Sequence, residues 1–455
     1  MSGRAAAGWL AALWLGLAGM AEAKPVVLDP AGMRQLAAEV LNAGQAEDAL
    51  ALTEALLQRD PQDVTALVLQ SQALRMLGRM DESRQMARRA WAAAETDEQK
   101  FSAAVTRAQV LSAEGRRTAA QFWLRRAVQV APTEEAQALA ERDFRYVRAR
   151  NPWVFAFDLS VAPSSNVNNG SSRGTFDLIG LEDLPIPEDM KALSGLDIAF
   201  GADVTYRLPA TDWSRTEFGL GLLTRQVVLS ADAKLQAPSA EASDYAYDAV
   251  ELGVTHRRLA FAPLRYAEFG ALVGHNWYGG ASMSNYVQAN FGMEDRTAPG
   301  RVLGFDIMGV RTWRLDSDTQ SNDQIIGSFG IDQAFGESGI LSVDFVGRQV
   351  YSESPELAGT GYLGSIGWEF SDPLPGDITL SASIGVGYRT YPNSNYADGG
   401  RQDHTQIGDV SFGINQLTYL GFVPTVSLTA ARTRSNAALF DTRSLGINIG
   451  YESAF

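Results

Sequence analysis

The chain has 455 residues, 38 Lys and Arg against 53 Asp and Glu, a net charge of −15 and no cysteine. That length predicts at least two domains, and the acidic balance argues against nucleic acid as a partner. Without thiols there is no disulfide, no Cys-ligated metal, no thiol chemistry and no lipobox.

Residues 1–23 read as a signal peptide. Arg4 gives a basic n-region, Ala5 to Met20 an apolar stretch, and Ala21-Glu22-Ala23 a small-residue cleavage site before Lys24. The stretch is Gly-interrupted and shorter than the ~20 apolar residues a membrane helix needs.

Residues 24–150 predict a helical domain, rich in Ala, Leu, Arg, Gln and Glu. Gly44 and Gly78 stand 34 residues apart, each at a bend between helices, and Pro61 and Pro132 each follow a glycine (Gly44, Gly115) by 17. Met33, Leu36, Ala37 and Val40 correspond to Leu67, Gln70, Ala73 and Leu74, although Ala37 and Ala73 differ in offset from their glycines. Ala49 and Ala120 both lie five residues after theirs, where helices approach. The pattern is that of three tetratricopeptide-like units, whose stacked pairs leave a groove for a peptide or protein segment. A generic Ala-rich bundle is the plainer alternative.

At Asn151-Pro152 the period changes from helical to alternating, because proline disfavours helix at the residue before it. Fourteen strands are expected in 151–455. In the first, Phe155, Phe157, Leu159 and Val161 alternate with Ala156, Asp158 and Ser160; near Ile378 the alternation is almost unbroken through Tyr388. Alternation over about ten residues, repeated in series, is the signature of a transmembrane antiparallel barrel, with an outward apolar face and a wet lumen. A soluble sandwich or propeller is the competing architecture. Turns around Pro209, Pro263, Pro299, Gly336, Pro373 and Gly421 fall on one side, and longer loops at 170–191, 231–243, 352–360 and 392–403 on the other. The last strand ends on Tyr451 and Phe455, an aromatic assembly signal for the barrel assembly machinery, with Ser453 a polar exception in the apolar register. Fold class is therefore helical repeats followed by an outer-membrane β-barrel, with the helices periplasmic.

Chemistry is sparse. By alternation His256 and His275 fall in the lipid-facing register and His404 in an outer loop, so the three do not converge. No phosphate-cradling glycine loop, zinc-spaced cluster or catalytic carboxylate pair is found, so neither cofactor, metal nor enzyme activity is expected. Inward charges are numerous: Asp158, Asp203, Glu217, Glu251, Glu268, Asp306, Asp344, Arg348, Arg389 and Glu452. Most are expected to pair across strands and hydrate the lumen, with a charge-selective pathway as the functional alternative.

Signal peptide, tetratricopeptide-like units and a barrel of about fourteen strands together resemble the Slam family, the surface lipoprotein assembly modulators. The stretch after strand one, Ser165-Asn166-Val167-Asn168, resembles the family's Ser-Asn-x-Asn motif at the barrel rim. The resemblance implies an outer-membrane translocator for a protein client, a surface lipoprotein or secreted protein, often in haem or metal acquisition. Its helices would receive the client or a periplasmic chaperone, and Ser165, Asn166 and Asn168 would form the rim motif. Two other functions fit the same layout: an exopolysaccharide export barrel, and a porin-like channel that prefers cations.

Overall fold

The computed structural model describes residues 28–178, 181–260 and 263–453; the expected signal peptide and Phe455 lie outside them. Seven helices come first: α1 (Pro30–Asn42), α2 (Ala46–Arg59), α3 (Val64–Met76), α4 (Met80–Ala93), α5 (Asp97–Ala113), α6 (Arg117–Gln129) and α7 (Glu134–Arg150). By packing, the chain divides after Glu114 into two compact units, so α6 and α7 belong with the barrel. Helix gives way to strand later, at Asn151-Pro152, where the composition changes.

In the first unit, consecutive helices pack and α3 also meets α1 and α5, which leaves it apolar nearly all round: Val64, Leu67, Val68, Leu69, Ala73 and Leu74 are buried. Gly44, Gly78 and Gly115 follow α1, α3 and α5 with φ of +83°, +75° and +77°, a conformation that costs L-residues free energy and glycine little. At the 34-residue offset Ala37 stands opposite Ser71 rather than Ala73, and both are fully buried. Ser71 is admissible there because it donates to the Ser83 carbonyl (2.8 Å) while Ser83 donates back to its own (2.7 Å). The crossing of α3 and α4 thus satisfies both buried hydroxyls.

The barrel strands are β1 (Trp153–Ser164), β4 (Gly195–Arg207), β5 (Ser214–Leu229), β6 (Tyr247–Leu259), β7 (Arg265–Tyr278), β8 (Ala281–Asp295), β9 (Arg301–Arg314), β10 (Asn322–Ala334), β11 (Gly339–Ser352), β12 (Gly359–Phe370), β13 (Ile378–Tyr391), β14 (Arg401–Ile414), β15 (Phe422–Ser435) and β16 (Thr442–Ser453). They form one closed antiparallel barrel of fourteen strands, each paired with its sequence neighbour in the barrel and β1 closing on β16. Two short strands, β2 (Thr175–Leu178) and β3 (Leu181–Pro185), make a hairpin in the first long loop, and α8 (Ala231–Gln236) lies in the second. The rim carrying the C-terminal end of β16 is called the near rim below, the opposite one the far rim.

Cross-strand partners share a face, so the register divides outside from inside. Phe155↔Val204, Val204↔Leu220, Leu220↔Leu252 and Leu252↔Val273 run along the outside. These residues are exposed although apolar, Phe157 at 64% and Ile384 at 69%. A soluble barrel would cover such a belt; hydrocarbon makes it stable. Outward aromatics lie at both edges, Trp153, Tyr206, Trp368 and Tyr451 at the near rim and Trp277, Trp313, Tyr351 and Tyr388 at the far rim.

Closure is uneven. The other strand pairs hold ladders of ten or more residue pairs, broken only by a bulge at Asn276/Trp277 between β7 and β8, whereas β1 and β16 stand in ladder register only at Val161↔Ile449 and Ser164↔Gly446 among the described residues. Pro163 has no N–H to give there. Towards the near rim the seam has side-chain contact instead, Ser160 Oγ donating to Asn448 Oδ1 at 2.7 Å.

Candidate functional site

Three parts of the barrel carry its polar chemistry: a far-rim clasp, the lumen wall and a near-rim anchor.

The clasp is built on the Ser165-Asn166-x-Asn168 stretch. Ser165 continues the seam where the ladder ends, its N–H donating to the Leu445 carbonyl (3.0 Å) and its Oγ accepting from Leu445 N–H (2.9 Å). Asn166 donates to the carbonyls of Gly170 (2.9 Å) and Arg443 (3.2 Å) and accepts from Gly170 N–H (2.8 Å). Asn168 donates to Asp189 and Lys191 carbonyls at 2.9 and 2.8 Å and accepts from Leu193 N–H at 2.9 Å. Only a primary amide can donate and accept in this way at both ends. Between them Val167 is buried with Leu193, Val227, Leu229, Ala233 and Ala237. The motif therefore fastens the first loop to β16 and to itself.

Behind it lies Asp441, 1% exposed, held by Arg432 (2.6 Å), Arg173 (3.3 Å) and Ser172 Oγ (2.7 Å). Phe176 of the hairpin meets Tyr396, which meets Phe440 edge-on, and Arg401 stacks over Tyr391 and Phe440 at 3.5 and 3.7 Å. Loops distant in sequence are thus packed together at the far rim.

In the lumen wall, Asp158, Asp203 and Glu251 converge on a cavity of about 300 Å³. Tyr286 donates to Glu251 at 2.6 Å, and its ring fits because Gly274 lies beneath: a Cβ there would come within 2.2 Å of it. Glu268, Asp306 and Asp344, with Asp332 and Arg257, line a second cavity of about 370 Å³. Arg348 and Arg389 line a third, with residues from β7 to β13.

The expected cross-strand pairing fails for most of the inward charges. Glu217 is paired, with Arg207 and Arg215 both at 2.8 Å. Among the described residues, however, Asp158, Asp203, Glu268, Asp306 and Asp344 have no cation at ion-pair distance. The pairs that do form, such as Arg225–Asp197, Arg257–Glu294 and Arg265–Asp295, sit towards strand ends. Water in a polar lumen can solvate the mid-wall carboxylates, while pairing is favoured where rims and loops crowd the charges.

The histidines do not meet. His256 bonds Thr216 (2.8 Å) and His275 bonds Asn285 (2.7 Å). His404 is not in a loop but in β14, opposite Tyr388 and Arg434, because β14 begins at Arg401. Among the described residues, no group of three or more His, Cys, Asp or Glu is placed to hold a metal ion.

The near-rim anchor was not visible in sequence. Arg125 of α6 donates to the Leu420 carbonyl (2.9 Å), the Gly421 carbonyl (3.3 Å) and Ser453 Oγ (2.8 Å). Its guanidinium lies over the rings of Phe144 and Phe422 at 4.8 and 4.4 Å. Burial, with Arg148 nearby, lowers its pKa to about 10, so it stays charged at neutral pH. Gln129 Oε1 accepts from Leu420 N–H at 2.7 Å. Ser453, the polar exception in the apolar register of β16, is one of the oxygens this arginine reaches.

No protein-family profile matches this chain, and no curated protein matches it. Among solved structures, the type III secretion translocator chaperone SycD of Yersinia enterocolitica is 16% identical, covering 26% of this chain and 83% of its own, with a TM-score of 0.24. The TodX monoaromatic hydrocarbon channel deltaS2 mutant is 11% identical over 66% of this chain and 89% of its own, with a TM-score of 0.34. The outer membrane protein opdK of Pseudomonas aeruginosa is 9% identical over 66% and 98%, also with a TM-score of 0.34. The architecture is fixed by the helices and the strand pairing themselves: seven helices followed by a closed fourteen-stranded barrel.

Proposed function

We propose that this protein is an outer-membrane translocator of the Slam type, which brings a protein client to the cell surface. The client is a surface lipoprotein or a secreted protein, of the kind used in haem or metal acquisition. The helical repeats stand in the periplasm and receive the client or its chaperone, and the barrel provides the route. The signal peptide directs export, and Tyr451 and Phe455 present the barrel to the assembly machinery. Transport, not catalysis, is the activity.

The observation that carries this reading is the near-rim anchor. A helix of the repeat region is bonded through Arg125 and Gln129 to the turn before β15 and to the end of β16. A passive pore has no use for a helix of a repeat region anchored at its rim, whereas a client handed from helices to barrel has use for one. The thin β1–β16 seam lies at the same strand and gives the wall a place to yield.

A comparison of surface proteins by protease shaving and mass spectrometry, in cells with and without this chain, tests the proposal. Loss of one or two specific proteins from the surface, with periplasmic accumulation, is the expected result; an unchanged surface would sink it. The clustered carboxylates Asp158, Asp203 and Glu251, with no cation at ion-pair distance among the described residues, favour a second reading, a cation-preferring channel. That reading requires cation-selective conductance by the purified barrel.

A further inference from the structure

Arg348 on β11 and Arg389 on β13 both point into the lumen, one on either side of Gly361 on β12 (Arg348↔Gly361↔Arg389). With no side chain between them, the two guanidinium stems share one space; a Cβ at Gly361 would stand 3.0 Å from Arg389 Cγ. Among the described residues neither arginine has a carboxylate at ion-pair distance or a hydrogen bond to the protein. The carboxylate opposite Arg389 in the register, Asp403, is taken by Arg401 at 3.3 Å. In a chain with a net charge of −15, two adjacent arginines without counter-charge are an anomaly.

Both line a cavity of about 460 Å³, the size range of small-molecule sites. Several polar groups on its wall are already engaged: Arg314 with Asp316, Thr360 with Gln349, Gln324 with Asn322, and Asn276 with Tyr247 and Ser284. Among the described residues the charged donors left uncommitted on this wall are the two guanidiniums, with the hydroxyls of Thr312 and Tyr391 beside them, and their planar forks match carboxylate oxygens in pairs. The wall also carries an apolar group, Ile326, Val346, Val350 and Leu363 beside Leu357 from the β11–β12 loop. We infer that this cavity is a binding site for a small organic carboxylate, its charged group between Arg348 and Arg389 and its apolar body against Val346, Val350 and Leu357. The inference is independent of the proposed client.

Calorimetric titration of the detergent-purified full chain at low salt, with phenylacetate and with inorganic phosphate as probes, decides it. Wild type is expected to bind phenylacetate saturably and more tightly than phosphate. Arg348→Gln and Arg389→Gln are each expected to weaken it about tenfold or more, and Arg348→Lys to weaken it less. Arg311→Gln, on the outer wall, should leave it unchanged. Heat-modifiable mobility reports that each variant still forms a barrel. Absence of saturable phenylacetate binding to wild type, equal binding by both Gln variants, or equal affinity for phosphate would overturn the proposal, the last by showing bare charge attraction.

Discussion

Arg125 shows how one side chain can hold an element in place. It is charged, half-buried between two aromatic rings, and its donors reach two carbonyls and one hydroxyl of the barrel. Hydrogen bonds from charged groups contribute about 1.5–3 kcal/mol each when their acceptors would otherwise lose a partner. Arg125→Ala is therefore expected to weaken docking of α6 and α7 by about 2 kcal/mol and expose the α7–β1 junction to limited proteolysis. Because β1 to β16 is otherwise untouched, the barrel should stay heat-modifiable. A cleavage pattern identical to wild type would show that α7 and the Asn151–Thr118 bond (3.0 Å) suffice. At this scale the sequence was partly legible. Ser453 stood out as a polar residue in an apolar register, but its partner lies 328 positions away and no local pattern points to it.

Among the elements, β1 and β16 differ from the rest. A barrel is stable in lipid because its backbone groups are paired, and an open edge in hydrocarbon costs several kcal/mol per unsatisfied group. The seam keeps two rungs near the far rim, and the Ser165 bonds extend closure just beyond the strand. Below that, among the described residues, the β16-facing amides of 157–160 lack the ladder that β9 and β10 share along twelve residues. Hydrogen exchange measured in nanodiscs should therefore be faster at those β1 amides than at the middle of β9–β10. Uniform protection around the barrel would mean that the seam is as well closed as the other strand pairs. The strands themselves were readable because alternation with period two is local, and parity placed the turns correctly. The start of β14, and with it His404, was misplaced because Asp403 and Arg401 look like loop residues until Tyr391 and Phe440 are seen stacking on Arg401.

For the whole molecule, packing and composition divide the chain at different places. Composition changes at Asn151, yet α6 and α7 pack with the barrel and the division falls after Glu114. Removing residues 28–114 should leave a heat-modifiable barrel with its near-rim helices in place, while extending the deletion to Arg148 should also strip the anchor. Under the translocator proposal both deletions abolish client display, measured by surface labelling; display that survives the shorter deletion would assign the receiving role to α6 and α7. Sequence alone determined the order of parts: helical repeats with glycine at the bends, then fourteen amphipathic strands. Periodicity and turn chemistry are short-range, set by residues within a few positions of each other. Tertiary structure decided what the strands enclose. The thin seam, the unpaired carboxylates at mid-wall, the clasp of Asn166 and Asn168 and the uncompensated Arg348–Arg389 pair all depend on which residues barrel closure brings together. A charge is paired or left open only by what stands within a few ångströms of it in space.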